Sequence, residues 1–401
     1  MKVIIVGGSM AGLFAALLLT RAGFEVELFE RSTAELEGRG AGIVTHPELF
    51  AVLAEAGILI EPAMLGTAVP GRRILDRKGS ITDEIALPQV LTSWSRLYKL
   101  LKSVLSPALI RNGATLDRIE QESGAVVAVL TDGRRAQADL LVGADGLFSA
   151  VRQQLLPQVK PAYAGYVAWR GLVDEAALTD ATRASICDHF AFCLPPGEQM
   201  LGYPVSGIDD ANEAGRRRFN FVWYRPASAD QLKELLTDTG GRQHALSIPP
   251  TALRPEVLAA MRADAERLLA PPFALAVRAT DDPFIQAILD LEVPTMAPGP
   301  RVALIGDAAF VARPHVGAGV TKAASDASSL ARALVANPRS LSDALAQFNR
   351  ERHPVDLAIV NRARELGAYM QAQQLSQRER ELAEQHRTPA AVISETAVPF
   401  G

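Results

Sequence analysis

One segment of the chain places a carboxylate beside a glycine at the end of an apolar run. Residues 301–305 are mostly apolar and lead into Gly306 and Asp307. The residues that shape the turn beyond them are Pro314, Gly317 and Gly319. This pattern predicts a buried strand that delivers a carboxylate and a glycine-rich turn to a polar ligand, with a helix beginning just beyond. A surface turn after a core strand is the alternative, and the N-terminal sequence argues against it.

The N-terminus carries a glycine loop of the kind that binds a dinucleotide. Residues 3–6 form a short β-branched run, residues 7–12 are glycine-rich, residues 13–22 have helical character, and residues 26–29 form a second strand that ends at Glu30. Such a βαβ unit brings a pyrophosphate to a helix N-terminus, where free N–H groups and the helix dipole favour negative charge. Glu30 lies 18 positions after the last glycine of the loop (30 − 12). This is close to the spacing of about 20 for a carboxylate that accepts hydrogen bonds from ribose hydroxyls.

The loop departs from the usual pattern at its middle glycine, where this chain has Ser9. Serine is small enough for close approach to phosphate, and its hydroxyl can add a hydrogen bond. Glu30 favours a ribose without a 2′-phosphate, because the two negative charges would repel each other.

Composition excludes several other classes of function. The chain has 401 residues, which indicates two domains or one large interleaved domain, and its net charge of −4 leaves no electrostatic footprint for nucleic acid. No apolar run approaches the roughly 20 residues of a membrane span. Cys187 and Cys193 lack the spacing of a metal site, so we expect no bound metal and two reduced packing residues in a cytoplasmic protein.

Two further turns are candidates for the same ligand. Residues 38–43 are dense in glycine and place Arg39 where it could reach phosphate or adenine, although a simple connecting loop explains them equally well. Residues 139–146 form another buried strand that ends in Asp145 and Gly146, and a helix start follows.

The middle of the chain has a different character. Residues 163–173 and 190–224 hold 10 of the 23 aromatic side chains in strand-like runs, which is typical of an antiparallel sheet with one face toward a ligand. Residues 253–269 are predicted to form a helix that Pro271 and Pro272 end.

Helices are also predicted over residues 94–110, 322–334 and 341–368. The final residues, 371–401, are charged and glutamine-rich and then contain proline. They form either a mobile tail or a helix docked on a partner. No second glycine fingerprint of the N-terminal kind stands in mid-chain, as it would in a reductase with two dinucleotide domains.

Three markers stand in order along the chain: the glycine loop with Glu30, then Asp145-Gly146, then Gly306-Asp307. Together they resemble the group A flavoprotein aromatic hydroxylases, the family of para-hydroxybenzoate hydroxylase, over roughly residues 1–365. Within that family the chain is most similar to 2,6-dihydroxypyridine 3-hydroxylase-like monooxygenases. The segments that carry this likeness are residues 7–9, 92–94, 163–171, 220–225 and 306–315.

The resemblance implies an α/β fold. A Rossmann-like FAD-binding domain would be interleaved with a substrate domain built on a mixed antiparallel sheet, and a helical C-terminus would follow. The expected boundaries are 1–70, 93–160 and 276–335 for the FAD-binding domain, 71–92 and 161–275 for the substrate domain, 336–370 for C-terminal helices and 371–401 for the tail.

The resemblance also implies residue roles. Glu30 would hold the adenosine ribose, Asp307 would contact the ribityl chain, and Asp145-Gly146 would serve both FAD and a transient NADH or NADPH. Backbone N–H groups of residues 317–320 would lie along the isoalloxazine and stabilise negative charge on the reduced ring. The full set expected to bind the cofactor is Gly7, Ser9, Met10, Ala11, Gly12, Glu30, Arg31, Arg39, Gly40, Arg96, Asp145, Gly146, Gly306, Asp307, Pro314, Gly317, Ala318, Gly319 and Val320.

Two positions depart from the family pattern. Phe310 stands where many relatives have a histidine after Gly-Asp-Ala-Ala. An arginine commonly opens the helix that runs past the flavin, but here the aligned residue is Trp94. Arg96, two positions later, is therefore carried over in its place.

The chemistry implied by the resemblance is hydroxylation of an electron-rich aromatic ring of phenol or hydroxypyridine type. NADH or NADPH reduces FAD, O₂ adds to give a C4a-hydroperoxyflavin, and this species transfers an OH group to the ring. A general base would help by ionising a ring hydroxyl, and the candidates are His189, Tyr203, Tyr224 and His315. His315 is the first choice because it follows Pro314 in the flavin-side turn, although packing explains each of the four as well.

Other interpretations stay open. Arg170 and Arg225 are candidates to bind an anionic substrate oxygen, but arginines at strand ends are commonly solvated or paired. The same fold could serve a flavin reductase or oxidase without oxygen insertion, or a non-catalytic flavin-binding protein. The expected partners are a small aromatic substrate and O₂, without nucleic acid or a membrane span. A second copy in a homodimer stays open as a further partner.

Overall fold

In the computed structural model, which describes residues 1–34, 36, 42–122, 124–371 and 376–399, the strands form three sheets. The strands are β1 (Lys2–Val6), β2 (Glu25–Glu30), β3 (Gly42–Val44), β4 (Thr67–Leu75), β5 (Ile81–Ser93), β6 (Ile110–Asn112), β7 (Leu116–Glu122), β8 (Ala125–Leu130), β9 (Arg135–Ala138), β10 (Leu140–Gly143), β11 (Ala162–Asp174), β12 (Phe190–Cys193), β13 (Gln199–Val205), β14 (Arg218–Pro226), β15 (Phe284–Asp290) and β16 (Val302–Leu304). The helices are α1 (Met10–Arg21), α2 (Pro47–Glu55), α3 (Pro62–Leu65), α4 (Trp94–Val104), α5 (Ala150–Leu155), α6 (Asp180–Ile186), α7 (Ala229–Leu235), α8 (Pro255–Leu268), α9 (Pro271–Arg278), α10 (Gly319–Ala336), α11 (Leu341–Gly367), α12 (Gln377–His386) and α13 (Pro389–Glu395).

The first sheet is parallel and has the order β16-β10-β1-β2-β6. Its central strands are continuous apolar runs, as in a parallel sheet that is covered on both faces, and residues 3–6 are accordingly buried. Val6 pairs with Gly143, and Gly143 pairs with Leu304. The carboxyl ends of β1, β10 and β16 therefore meet at one edge. The three turns that the sequence singled out follow these strands, so the structure brings them together as predicted.

Helices α1 and α10 pack against each other beside this sheet. Helix α10 is rich in small residues, and Ala323, Ala324 and Ala327 are buried along it, which allows close approach of the two backbones. A small three-stranded antiparallel sheet, β7-β8-β9, lies next in the chain. A turn at Asp132-Gly133 connects its last two strands.

The second sheet is mixed and has the order β15-β11-β14-β13-β12-β4-β5-β3. Its strands pair antiparallel except for β12 and β4, which are parallel. Alternation along β11 separates the two faces: Trp169 packs into an apolar cluster with α8 and α9, whereas Tyr166 and Ala168 belong to a cluster on the opposite face. One face of the sheet is therefore covered by helices, and the other is free to form a cavity.

Two helix predictions were wrong at their ends. The helix predicted over residues 94–110 ends at Val104, because Pro107 follows and restricts the backbone before it. Pro271 and Pro272 do not merely end a helix but begin α9, since proline at the first helical positions costs no hydrogen bond.

The predicted domain boundaries remain a prediction, and strands β15 and β3 pair with the sheet of the other predicted domain. Strand β15 falls in the segment expected for the FAD-binding domain, yet it pairs with β11 of the mixed sheet. Strand β3, from the first segment expected for the same domain, pairs with β5 at the other edge of the mixed sheet. Strand composition indicates burial but not the pairing partner, so the sequence could not assign these two.

The C-terminal residues from 376 to 399 are ordered helices docked on their own chain rather than a mobile tail. Helix α12 begins with a capping box at Ser376, and α13 packs against β4 and β5. In the part of the chain that the structure describes, no helix is long and apolar enough to cross a membrane, and no group of three or more potential metal ligands occurs.

Candidate active site

The N-terminal loop is shaped as a cradle for phosphate. Gly7 has a φ of +108°, which side chains rarely adopt, and a Cβ at Gly12 would lie 1.8 Å from the Gly7 carbonyl oxygen. Ser9 precedes the first turn of α1, and its hydroxyl makes no capping hydrogen bond. The N–H groups of that turn and the Ser9 hydroxyl are thus available to an anionic group.

Glu30 is held at the end of β2 by two backbone N–H groups. Gly8 donates to Oε2 and Ser32 donates to Oε1, each at 2.7 Å. These hydrogen bonds fix the carboxylate beside the glycine loop. Glu30 and Arg31 line a cavity of about 360 Å³, and the loop residues Gly7 and Ser9 line it as well. We call this cavity the loop cavity.

Asp145 lines the same cavity from the end of β10. Its Oδ2 accepts hydrogen bonds from Ala150 N at 2.7 Å and Val151 N at 3.2 Å. Its Oδ1 is buried and has no hydrogen-bond partner among the described residues. Burial raises the pKa of this carboxyl. A buried carboxylate oxygen without a donor is costly, so its position predicts a ligand that donates a hydrogen bond there.

A buried cluster of charged side chains holds the Gly306 turn in place. Gly306 N donates to Asp326 Oδ2 at 2.9 Å. Lys322 lies 3.3 Å from Asp326 and 3.6 Å from Asp356, and Arg352 donates to Asp326 at 2.9 Å and to Asp356 at 2.5 Å. Two cations thus offset two carboxylates, and the network fixes the turn that carries Asp307.

Asp307 does not face this buried cluster of charges. Its side chain is exposed and lines a groove. The surrounding protein raises the pKa of the Asp307 carboxyl, Lys322 opposes this and Asp326 adds to it. A short turn over residues 314–316 and Gly317, with a φ of +62°, lead into the first turn of α10. The start of this helix is a second place where backbone N–H groups are available to a ligand.

The three turns line one continuous groove. A middle cavity of about 540 Å³ adjoins the loop cavity, and the two share Ser9, Trp94, Ala144 and Gly146 as lining residues. Met10 and Ala11 also line the middle cavity. It continues into a third cavity of about 310 Å³, which shares Arg170, Asp307, Gly319 and Val320 with it. An extended ligand can therefore contact all three turns at once.

The third cavity lies on the free face of the mixed sheet, and we call it the sheet cavity. Much of its wall is apolar, with Phe190, Leu201 and Val222 among the lining residues. Tyr203 and Tyr224 are the tyrosines on the wall. Burial raises the pKa of Tyr224 to about 12 and raises that of Tyr203 further, while the charge of Arg170 opposes both shifts. Both hydroxyls are therefore protonated near neutral pH.

Comparison with known proteins agrees with this geometry. A model of an NAD(P)-binding Rossmann-like domain matches residues 5–46, one described as FAD binding domain-like matches residues 163–290, and one of an FAD binding domain matches residues 292–363. The 2,6-dihydroxypyridine 3-monooxygenase of Paenarthrobacter nicotinovorans is 33% identical over 378 residues, covering 92% of this chain and 91% of the relative. The chain belongs to the FAD-dependent aromatic monooxygenase family.

Two further comparisons support this membership. Salicylate hydroxylase of Pseudomonas putida is 31% identical over 388 residues, covering 88% of this chain and 82% of the relative. The structure of 2,6-dihydroxypyridine-3-hydroxylase from Arthrobacter nicotinovorans matches with a TM-score of 0.86 and 32% identity, covering 94% of this chain and 95% of that one. The expected family, fold class and activity are confirmed: this monooxygenase is an FAD-dependent aromatic hydroxylase.

FAD, the cofactor of this monooxygenase, fits the groove. The loop where a Cβ would collide, the fixed carboxylate of Glu30 and the unpartnered Oδ1 of Asp145 match a pyrophosphate and its neighbouring hydroxyls. Trp94 lines both the loop cavity and the middle cavity, and its ring stacks on Tyr98 at 4.7 Å. Trp94 therefore occupies the groove at the position where relatives commonly have arginine.

Arg96 does not replace that arginine in the groove. Its guanidinium forms an ion pair with Asp210 at 3.2 Å and donates to the Met64 carbonyl oxygen. It is not among the residues that line the three cavities. Two positions along a helix is more than half a turn, so the side chain points away from Trp94. The residues Arg39 and Gly40, also expected to bind the cofactor, lie outside the described residues.

His315 lies beneath the wall of the sheet cavity rather than on it. It is 1% exposed, its Nε2 is hydrogen-bonded to the Tyr166 hydroxyl at 2.8 Å, and its ring packs 4.4 Å from that of Tyr224. Burial, together with Arg313 and Arg170, lowers the pKa of His315 to about 3. The expectation that His315 meets the substrate was therefore wrong, because neighbourhood to Pro314 in sequence does not fix the direction of the side chain.

His189 is also away from the cavity. It lies 3.0 Å from the guanidinium of Arg73 and 3.9 Å from Glu84. Phe190, the residue directly after His189, lines the sheet cavity. Successive side chains along a strand point to opposite faces, so the His189 side chain points away from the cavity. Of the four candidate bases, the two tyrosines alone are on the wall.

Three wall features were not predicted. Thr396 and Ala397 line the sheet cavity, although the sequence predicts either a mobile tail or a helix docked on a partner for this C-terminal segment. Arg72 is fully buried behind them. The adjacent charges of Arg72 and Arg73 in strand β4 were the signal in the sequence that a buried partner could exist.

Proposed function

We propose that the substrate is a single electron-rich ring of phenol or hydroxypyridine type, bound in the sheet cavity and hydroxylated with O₂ and NADH or NADPH. The observation that carries this is the cavity itself, which is small, has apolar faces and presents two protonated tyrosine hydroxyls. Apolar faces suit a flat ring, and a few placed polar groups fix its orientation. The names of the relatives, which include hydroxylases of dihydroxypyridine and salicylate, support the same class.

We infer that FAD lies along the groove with its phosphates at the glycine loop. Gly7, Ser9, Met10, Ala11 and Gly12 would hold the pyrophosphate. Glu30 and Arg31 would bind the adenosine end, and Asp145 with Gly146 the adjoining hydroxyls. Gly306, Asp307, Pro314, Gly317, Ala318, Gly319 and Val320 would bind the ribityl chain and the ring. FAD, once bound, supplies the activation of O₂ that side chains lack.

The chain's own part in catalysis is orientation and exclusion of water. Tyr203 and Tyr224 retain their protons, so each donates a hydrogen bond to a ring oxygen instead of acting as a base. The apolar wall keeps water from the reacting atoms, which protects the oxygen transfer. A general base on the described wall is not required if the ring enters in ionised form.

A panel of rings tests this function. The protein with FAD is mixed with NADH or NADPH and with 2,6-dihydroxypyridine, salicylate or 3-amino-4-hydroxybenzoate, and nucleotide oxidation and product mass are measured under ¹⁸O₂. We expect at least one ring to accelerate nucleotide oxidation and to gain one ¹⁸O atom. Nucleotide oxidation with an unchanged ring would instead indicate a reductase or oxidase. Bound FAD without stimulated oxidation would indicate a non-catalytic protein.

Two variants refine the test. Tyr203→Phe and Tyr224→Phe should raise KM for the ring that reacts, because each loses one donor on the wall. Tyr163→Phe is the control, since the Tyr163 hydroxyl donates to the Ala227 carbonyl oxygen at 2.9 Å on the helix-covered side of the sheet. The homodimer and the cytoplasmic location stay predictions from the sequence, and sedimentation of the purified protein would test the first.

A further inference from the structure

Arg170 is a cation without a counter-charge on the wall of the sheet cavity. Among the described residues its guanidinium forms no hydrogen bond and no salt bridge, and its Nε is buried without a partner. Arg225, the other arginine that the sequence offered for an anionic oxygen, is fully engaged. It pairs with Glu198 at 3.0 Å and Asp264 at 2.9 Å and stacks over Trp223.

The position of Arg170 is fixed by the sheet. It lies on β11, opposite Val222 of β14 and Phe284 of β15, in the middle of three paired strands. Alternation puts it on the same face as Ala168, toward the cavity and away from Trp169. It lines both the middle cavity and the sheet cavity, so it stands where the cofactor groove opens into the substrate chamber.

The other charged groups on the wall leave this charge uncompensated. Arg313 forms a bidentate pair with Asp290, with distances of 2.8 to 3.1 Å. Asp307 lines the same two cavities but forms no salt bridge with Arg170 among the described residues. The remaining ionisable neighbours, Tyr203 and Tyr224, are neutral near pH 7 because burial raises their pKa values.

An uncompensated cation at the mouth of an apolar cavity is unfavourable by itself and favours an anionic ligand. The planar guanidinium can offer two parallel N–H groups to one or two oxygens. We propose that Arg170 binds an anionic oxygen of the substrate ring, so that the sheet cavity selects the ionised form of a hydroxylated ring over its neutral form. This inference rests on the proposed function, and it names the charge state of the substrate and the residue that reads it.

The tyrosines complete this arrangement. An oxygen held by Arg170 lies on the wall shared with Tyr203 and Tyr224, whose hydroxyls can donate further hydrogen bonds to it or to a second ring oxygen. Ionisation also makes the ring a better nucleophile. The same contact therefore binds the ring and prepares it for oxygen transfer, without a basic side chain in the cavity.

Equilibrium binding to the protein with FAD tests the inference separately from turnover. The probes are 2,6-dihydroxypyridine, compared with 2,6-dimethoxypyridine, which cannot ionise at a hydroxyl, and salicylate, whose charge is on its carboxylate, compared with the neutral 2-methoxybenzamide. Binding is followed by the change in the flavin absorbance. We expect Arg170→Gln to weaken binding of an ionised probe by about 10- to 100-fold, as for loss of a charged hydrogen bond. Binding of the methylated probes should change by less than about threefold.

Three comparisons make the result decisive. Arg170→Lys should retain part of the preference, because the charge remains while the paired N–H groups are lost. Arg216→Gln, which removes the same charge from an exposed turn, should leave binding unchanged. Equal weakening of ionised and methylated probes, or no weakening of either, would overturn the proposal. So would a loss of FAD affinity in Arg170→Gln with unaltered ring binding, since Arg170 would then contact the cofactor.

The two claims fail in different ways. If the ionised probes bind through Arg170 but no ring gains oxygen, the proposed function is wrong and the anion site stands. If a ring is hydroxylated with the same KM in wild type and Arg170→Gln, the anion site is wrong and the proposed function stands.

Discussion

Replacing Arg72 by methionine should release the C-terminal segment from the wall of the sheet cavity. Arg72 is fully buried on β4, and its guanidinium donates to the carbonyl oxygens of Ile393 at 2.9 Å, Thr396, and Ala397 at 3.1 Å. Burial lowers the pKa of Arg72 to about 10, so it remains charged at neutral pH. Methionine fills a similar length of apolar space but offers no donor.

The size of the effect follows from the bonds that are lost. Ala397 keeps a donor, because Gln89 Nε2 donates to its carbonyl oxygen at 2.9 Å. The carbonyl groups of Ile393 and Thr396 lose their guanidinium donor, at about 1–3 kcal/mol for each buried group. Docking of the segment is therefore weakened by about 2–6 kcal/mol, so the undocked fraction rises by about 30-fold or more.

Two measurements follow the released segment. Hydrogen exchange in the peptide spanning residues 389–399 should become faster, because the segment opens more often. In the enzyme with its reacting ring, the fraction of NADH or NADPH oxidation that yields H₂O₂ should rise, because water enters where Thr396 and Ala397 close the wall. Arg77→Met, on the exposed turn after β4, is the matched control and should alter neither quantity.

Either measurement can refute this reasoning. Unchanged exchange in Arg72→Met would mean that the guanidinium does not hold the segment. Faster exchange with an unchanged yield of H₂O₂ would mean that the segment is held by Arg72 but does not seal the cavity.

Three further predictions concern the cofactor groove and the buried histidine. Asp145→Ala should weaken FAD binding to the apoprotein by about 10- to 100-fold, measured by quenching of flavin fluorescence, because Oδ1 is the buried acceptor without a donor; unchanged affinity would contradict the role. Gly12→Ala should purify with little FAD yet with native far-UV circular dichroism, since its Cβ would lie 1.8 Å from the Gly7 carbonyl oxygen; normal FAD content would contradict it. His315 is neutral in the fold, with a pKa of about 3 against 6.5 for the free side chain, so its contribution to stability is present above pH 6.5 and falls by about 1.4 kcal/mol per unit below it. Between pH 6.5 and pH 5 urea unfolding of wild type should lose about 2 kcal/mol from this source, and His315→Gln should lack that loss; parallel pH profiles would refute it.

The cofactor groove could be predicted from sequence because its signals are local. Gly7 and Gly12 are required by backbone geometry within one loop, and Glu30 and Asp307 follow directly from the strands that present them. In a parallel sheet the carboxyl ends of neighbouring strands share an edge, so three separate turns could be expected to meet. Nothing beyond strand order was needed to bring them together.

The substrate cavity depends on information that a single sequence does not carry. His315 was preferred to Tyr224 as a base because it follows Pro314 in the sequence. The direction of each side chain decides otherwise: His315, on a short turn, is buried under the wall, whereas Tyr224, on a strand, is on it. The wall contributed by Thr396 and Ala397 depends on a docking contact across more than 300 positions of chain, through Arg72.

The preference of the sheet cavity for an anionic ring and the closure of its wall by the C-terminal segment both serve efficient oxygen transfer to the ring. Oxygen transfer to a ring is efficient only if the ring is electron-rich and water is absent, yet an ionised ring is strongly hydrated and resists entry into an apolar chamber. A single unpaired cation at the opening resolves this conflict, because it replaces the lost hydration at one point while the remaining wall stays apolar. Arg170 stands at that opening, and Arg72 holds the segment that closes the far wall. If both assignments hold, loss of Arg170 should raise KM more than it raises the yield of H₂O₂, whereas loss of Arg72 should do the reverse.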